Sequence, residues 1–257
     1  MDVGGTVAVI TGAASGIGRA MALALAKEGA RAVVIGDLDE AGARETIRLV
    51  EEAGSRSAFI RTDVTERHQF ENLLEEAQTQ FSRLDILCNN AGIGEISTGL
   101  FDEDADPEAF NRIVQINLAA VIRGTRLGVV KMRSLGRGGV IVNTASMGGL
   151  RPMPTAPVYA ATKAGVVNFC RSLAYLREEE NIRVNAICPS FVDTPLVWRE
   201  GPERVAMMTA QMGLLSADLV AQGLVELVHY ESRAGAVMRI TSQRGIDLCA
   251  RYLALRL

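Results

Sequence analysis

Thr6-Val7-Ala8-Val9-Ile10-Thr11 runs straight into Gly12-Ala13-Ala14-Ser15-Gly16-Ile17-Gly18, and this junction decides the fold. The first six residues form a short β-branched run that reads as a buried strand. The pattern beyond them predicts a helix over Ile17–Glu28. Between the two, glycines let the backbone turn tightly and approach a diphosphate, and the N–H groups that open the helix point at that charge. The spacing is GxxxGxG, not the GxGxxG of other dinucleotide folds. Tight turns need glycine for structural reasons too, so it is the strand-before, helix-after context that favours a nucleotide.

The same alternation continues outward from this unit. Apolar strand patterns at Ala32–Gly36, Ala58–Thr62, Leu84–Cys88, Val140–Ala145, Arg183–Ile187 and Ala236–Thr241 alternate with helical patterns. The helices cover Glu40–Ala53, Arg67–Phe81, Pro107–Leu135, Val158–Glu180 and Leu219–Tyr230. Continuous apolar strands flanked by amphipathic helices predict an α/β fold. It is a single doubly wound parallel sheet of the Rossmann type, with helices on both faces and one domain over 1–257. Two insertions break the rhythm, a polar loop over Gly92–Asp106 and a segment over about 190–215. Both leave the carboxyl ends of strands, where open parallel sheets bind ligands. The second carries Leu196, Val197, Trp198, Val205, Met207, Met208 and Met212, and is expected to be a helical substrate lid.

Composition narrows the function classes. The chain has 257 residues, 48% of them hydrophobic, with 27 basic against 30 acidic side chains and a net charge of −3. That is apolar enough to bury a core and excludes disorder. The absence of a basic run excludes a nucleic-acid partner. No stretch approaches the roughly 18 apolar residues of a membrane span. Met1–Gly5 leads almost at once into the first strand, so no targeting segment is expected and the protein reads as cytoplasmic. Cys88, Cys170, Cys188 and Cys249 lack metal or redox spacing and read as reduced thiols. With only His68 and His229 in the chain, no metal centre is expected.

Several polar residues fall where a nucleotide and a proton-transfer step would need them. Asp37 ends the second strand 19 residues after Gly18. A carboxylate there accepts hydrogen bonds from an adenosine ribose diol and repels a 2′-phosphate, and no basic residue stands at Ser15 or Leu38 to reverse that choice. Asp63-Val64 follows the third strand, where it could meet adenine; Asp63 serves equally well as a turn or capping residue. Tyr159 and Lys163, one of only three lysines, are spaced i, i+4 on one helix and face the same way. A cation beside a phenol stabilises the phenolate and makes tyrosine usable as an acid/base. Ser146, at the end of the fifth strand, is placed to reach the same substrate oxygen. Asn117 sits inside a long helix, an unfavourable place for asparagine unless its amide finds a partner.

In their order along the chain, Thr11–Gly18, Asn89-Asn90-Ala91-Gly92, Asn117, Ser146, Tyr159-x-x-x-Lys163 and Pro189–Thr194 resemble the motifs of the short-chain dehydrogenase/reductase family. The likeness spans about Thr6 to Asp247 and is strongest to the branch that oxidises hydroxyprostaglandins with NAD. It is carried by Val114–Gly128, Pro157-Val158-Tyr159, Arg183–Val192 and Ala236–Ile246. The resemblance implies a catalytic set of Asn117, Ser146, Tyr159 and Lys163. Tyr159 would be the acid/base, with Lys163 lowering its pKa and holding the nicotinamide ribose, Ser146 positioning the reacting oxygen and Asn117 holding a proton-relaying water. NAD would be bound by Gly12, Ala14, Ser15, Gly16, Ile17, Gly18, Asp37, Leu38, Asp63, Val64, Asn90, Ala91, Tyr159 and Lys163, with Val192 and Thr194 on the carboxamide. Ser190 departs from the usual Pro-Gly. Ala156 stands where that branch carries a glutamine, which opens the question of substrate. Ser146, Met147, Met153, Ala156, Tyr159 and Trp198 are the expected substrate contacts. Apolar, methionine-rich walls favour a hydrophobic secondary alcohol or its ketone over a sugar. The resemblance also implies a homodimer or homotetramer. The competing readings are an NADP-dependent ketoreductase and a non-catalytic NAD-sensing protein.

Overall fold

The computed structural model describes residues 1–94, 100 and 106–249. Most of the expected Gly92–Asp106 loop therefore lies outside the described residues. One sheet organises the chain. Its strands are β1 (Val7–Thr11), β2 (Ala32–Asp37), β3 (Arg56–Arg61), β4 (Ile86–Asn89), β5 (Gly139–Thr144), β6 (Ile182–Pro189), β7 (Val237–Thr241) and β8 (Gly245–Leu248). The spatial order is β3-β2-β1-β4-β5-β6-β7-β8. Every neighbouring pair is parallel except β7 with β8. The order reverses between β1 and β4, the place where doubly wound sheets open a crevice at their carboxyl ends.

The inner strands β1, β2, β4, β5 and β6 are buried on both faces, which is why they read as unbroken apolar runs. On one face α1 (Gly16–Lys27), α2 (Glu40–Glu52) and α10 (Ala217–His229) cover Ile10, Ile35 and Ile187 with Met21, Leu25, Val50 and Leu224. The other face is covered by α3 (Arg67–Phe81), α5 (Ala120–Leu135) and α6 (Pro157–Ser172), with Phe70, Leu73, Met132 and Val166 packed on Val9, Leu87 and Val184. Fully burying one such side chain contributes about 1.5–3 kcal/mol. Close approach of α5 depends on Gly128, where a Cβ would sit 2.5 Å from Leu87 Cδ2.

Three features differ from the sequence expectation. The helix expected over Pro107–Leu135 is α4 (Pro107–Val114) and α5 joined by a π turn, Gln115–Ala119, in which the Ala120 N–H bonds the Gln115 carbonyl. The resulting rod over Glu108–Leu135, 28 residues, is long and apolar enough by length and composition to cross a membrane. That composition was not expected; its inward side is the core face just described. The helix expected over Val158–Glu180 breaks after α6 and resumes as α7 (Leu176–Glu180). Its bonds tighten there from i−4 to i−3, from Leu173 N–H to the Cys170 carbonyl and from Ala174 N–H to that of Arg171. Finally, β8 adds an antiparallel edge strand, pinned by an Arg239–Asp247 ion pair across the β7–β8 ladder.

The insertion after β6 carries two helices, α8 (Pro195–Trp198) and α9 (Pro202–Met212). It is anchored by a parallel bridge between Val192 and Leu215, while Val205 and Leu215 are buried. Leu196, Trp198 and Met207 are exposed.

Candidate active site

The glycine turn after β1 is built by close approach. Gly12 has φ +68°, and a Cβ on it would lie 2.8 Å from the Ala91 Cα beyond β4. A Cβ on Gly18 would lie 2.2 Å from the Gly12 carbonyl oxygen, so only glycine lets α1 start this near the strand. Ser15 opens α1 without a side-chain cap, and the first turn has no acidic residue. The first N–H groups are thus left to an anionic ligand. Gly16 has φ +52° and sits over Thr194, whose Cγ2 would be 3.0 Å from a Cβ there. Ala14 and Ile17 complete the turn.

Asp37 closes β2, and its carboxylate is held by three backbone donors. Ala14 N–H bonds Oδ2 at 2.8 Å, and Leu38 and Asp39 N–H bond Oδ1 at 2.7 and 3.0 Å. Leu38 is exposed beside it. Asp63 bonds the Thr65 amide and hydroxyl at 2.9 and 2.7 Å, which is the turn role open to it from sequence, and Val64 is buried. Thr11, which sequence reasoning passed over, accepts the Asn90 and Ala91 N–H groups on its Oγ1 at 3.1 and 3.2 Å. The Asn90 amide in turn donates to the Thr11 and Gly12 carbonyls at 3.1 Å each and accepts from Thr144 at 3.2 Å. These bonds fasten the ends of β1, β4 and β5 together.

Ser146 begins a 3-10 turn, Met147–Gly149, and its Oγ accepts the Gly148 N–H at 3.0 Å. Ser146 stands close enough to Tyr159 for its hydroxyl to favour the phenolate. Lys163, one turn further along α6, is buried; its Nζ donates to the Thr144 carbonyl at 2.8 Å and lies 5.6 Å from the Tyr159 ring centre. The i, i+4 spacing thus brings both groups to one place. Burial sets the direction for both groups. Burial pushes Tyr159 up, with the Ser146 hydroxyl pulling the other way. Burial also pushes Lys163 down to about 8.

Asn117 lies wholly buried in the π turn. Its amide donates to the Ile93 carbonyl at 2.8 Å and accepts the Ile93 N–H at 2.9 Å. Both ends of the side chain are therefore spent on the strand of backbone that passes Lys163. A Cβ on Gly92 would lie 3.2 Å from Asn117 Oδ1 and 3.6 Å from Lys163 Nζ. No local sequence signal marks Ile93 as this partner. Beneath the site, Asn89, Thr125, Asn143 and Cys170 form a buried polar chain that also escaped sequence reasoning.

Of the remaining expected residues, Val192 and Thr194 are buried, and Thr194 Oγ1 donates to the Val192 carbonyl at 3.2 Å. Met147 and Met153 are half-buried beside Ser146, whereas Ala156 is buried before α6 and presents little surface. Trp198 is exposed on α8, its indole N–H bonded to Asp193 at 2.7 Å. Ser190 Oγ is buried and has no hydrogen-bond partner among the described residues.

Residues 6–205 match a family model described as short chain dehydrogenase. The chain is similar to 15-hydroxyprostaglandin dehydrogenase [NAD(+)] of Homo sapiens, 37% identical over 96% of this chain and 94% of that one. It is also similar to the cis-4-hydroxycyclohexanecarboxylate dehydrogenase of Sinomonas cyclohexanicum, 43% identical over 74% and 75% of the two chains. Among solved structures it resembles carveol dehydrogenase from Mycobacterium avium in complex with NAD, with TM-score 0.85, 30% identity and coverage of 93% and 97%.

Proposed function

Because the chain belongs to the short-chain dehydrogenase family, we propose that it is an NAD-dependent enzyme that interconverts a hydrophobic secondary alcohol and its ketone. The observation that carries this reading is the placing of Ser146 next to Tyr159 above buried Lys163, at the carboxyl edge of the sheet that also carries the glycine turn. The uncapped start of α1 and the Gly12–Gly18 cradle suit a diphosphate, and Asp37 suits a ribose diol. When bound, NAD supplies the hydride acceptor. Asn90 and Ala91 line its cleft, and Val192 and Thr194 hold the carboxamide end.

The chain's own part is positioning and proton transfer. Ser146 fixes the carbinol oxygen, and Tyr159 takes its proton as general base. Lys163 steadies the phenolate and the nicotinamide ribose. Its amine is poised near 8, so it charges readily once a partner anion forms. Asn117 holds Ile93 by its side chain, so the relaying water sits on its backbone. Residues about 190–215 act as the lid, with Leu196, Trp198 and Met207 offering apolar surface to a substrate. The whole chain works as one dinucleotide-binding and catalytic domain. The outward side of the α4–α5 rod exposes Val114, Ile122 and Val130 and suits a second copy in a homodimer or homotetramer.

One observation favours the NADP-dependent alternative: Arg61 stands opposite Asp37 in the β2–β3 register. Both readings are tested by steady-state kinetics on a panel of secondary alcohols with NAD and NADP. We expect NAD to be strongly preferred, Asp37→Ala to erode that preference, and Tyr159→Phe to cut turnover about a thousandfold while NAD still binds. Equal or better turnover with NADP overturns the cofactor assignment, and a near-normal Tyr159→Phe rate overturns the acid/base assignment.

A further inference from the structure

A cation that the mechanism leaves unused stands between the turn after Ser146 and the segment after β6. Arg151 stands five residues after Ser146, just beyond the Met147–Gly149 turn. That turn is a firm platform. The Gly149 and Leu150 N–H groups close back on the Ser146 and Met147 carbonyls at 2.9 and 3.0 Å. A Cβ on Gly149 would lie 2.6 Å from the Lys163 carbonyl oxygen, so the turn is pressed against α6. From this platform exposed Arg151 reaches across to α9, where its Nη2 meets Met212 Sδ at 3.2 Å.

A thioether is a weak acceptor, and a guanidinium offers five N–H donors in a fixed fork. Several arginines find carboxylates, as in Arg83–Asp85, Arg133–Glu180, Arg204–Glu200 and Arg239–Asp247, and others bond backbone carbonyls, as Arg123 and Arg183 do. Arg151 has no carboxylate partner among the described residues. It bridges the two walls of the cleft, with half-buried Met147, Leu150 and Met153 on the Ser146 side. A planar cation held at the end of an apolar wall is matched by a carboxylate at the far end of an apolar body, through paired N–H···O bonds.

We propose that Arg151 is a substrate-binding residue that captures the distal carboxylate of a hydrophobic hydroxy acid, while the alcohol at the other end meets Ser146 and Tyr159. This rests on the dehydrogenase reading and narrows its substrate class. Arg151 anchors the loop side, and its contact with Met212 makes the bound carboxylate a link between the loop and α9.

The test uses the full-length enzyme with a medium-chain hydroxy fatty acid, whose alcohol is next to the terminal methyl, and with its methyl ester. Wild type is expected to favour the acid by about tenfold in kcat/KM, mainly through KM, and to lose that margin at high salt. In Arg151→Met the acid-to-ester ratio falls to about one, and Arg151→Lys retains part of it. A second measurement does not need turnover: Trp198, the single tryptophan, reports titration with the matching fatty acid that lacks the alcohol. Saturable binding in wild type, at least tenfold weaker in Arg151→Met with an unchanged melting curve, supports the site. Equal efficiency on acid and ester, a ratio that survives in Arg151→Met, or fatty-acid binding indifferent to that substitution overturns it. If neither alcohol is oxidised but Arg151-dependent binding is seen, the dehydrogenase reading falls and the carboxylate site stands.

Discussion

Lys163 is an amine whose burial works against its charge, and that has a readable pH dependence. Its folded-state pKa of about 8 lies below the ordinary value of 10.5. Between those values the unfolded chain binds the proton that the folded chain resists, so this group makes stability rise with pH across the window. Below about pH 8 the penalty is fully present and levels off. Wild type minus Lys163→Met, followed by urea unfolding of the cofactor-free protein, should therefore rise by a few kcal/mol from pH 8 to pH 10. Taking the difference removes the opposite trend from the buried thiols, among them Cys170, which burial pushes up to about 12. A flat difference means that Lys163 is hydrated in the folded state. Ser190 presents the opposite economy, a buried hydroxyl with no partner among the described residues. Ser190→Ala should stabilise the fold by about 1 kcal/mol in the same denaturation assay, because the unmet hydroxyl disappears with its desolvation cost. A loss of stability instead means that Ser190 has an acceptor or donor in solution.

At the scale of elements, the π turn and the loop after β4 hold each other. Asn117 supplies both bonds, so Asn117→Ala leaves the Ile93 N–H and carbonyl unpaired in a buried setting, at a cost of about 1–3 kcal/mol. Hydrogen exchange should show the Ile93 amide losing its protection first; unchanged protection there refutes the coupling. This pairing also marks where sequence reading stops. The βα alternation was legible because fully buried strands leave unbroken apolar runs such as Val33-Val34-Ile35, and Arg67–Phe81 was read to its ends from one apolar stripe. Tyr159, Lys163 and Ser146 could be named because helical spacing and strand ends fix where side chains go. The π turn has no local pattern, since a partner in a different loop widens the helix. The break at Leu173–Tyr175 contains no proline or glycine to announce it. The β8 strand is four residues long and half-exposed, too short for a period to emerge. Thr11 meets the Asn90 N–H from 79 residues away and Ile93 meets the Asn117 side chain from 24 residues away, separations that no local window reveals.

For the molecule as a whole, the parallel arrangement sorts the chain into two edges. Gly12, Asp37, Asn90, Ser146, Tyr159 and Val192 all gather where strands end; the turns where strands begin carry none of the residues assigned a role here. Gly54, before β3, and Gly136, before β5, are exposed, and a Cβ on either would meet nothing within 4 Å. A short Gly/Ser segment inserted after Gly54 should leave kcat and KM unchanged and shift the melting temperature by only a few degrees, because closing a longer surface loop costs little. A kinetic defect there means that the two edges communicate. The same segregation separates two kinds of inheritance. Changes along the starting edge alter durability, solubility or attachment to a scaffold without touching chemistry, while changes along the finishing edge alter what is recognised without rebuilding the frame. An engineer could therefore tether the protein to a surface, or split it for a reporter, from one side and retune its selectivity from the other, and the two campaigns would combine additively.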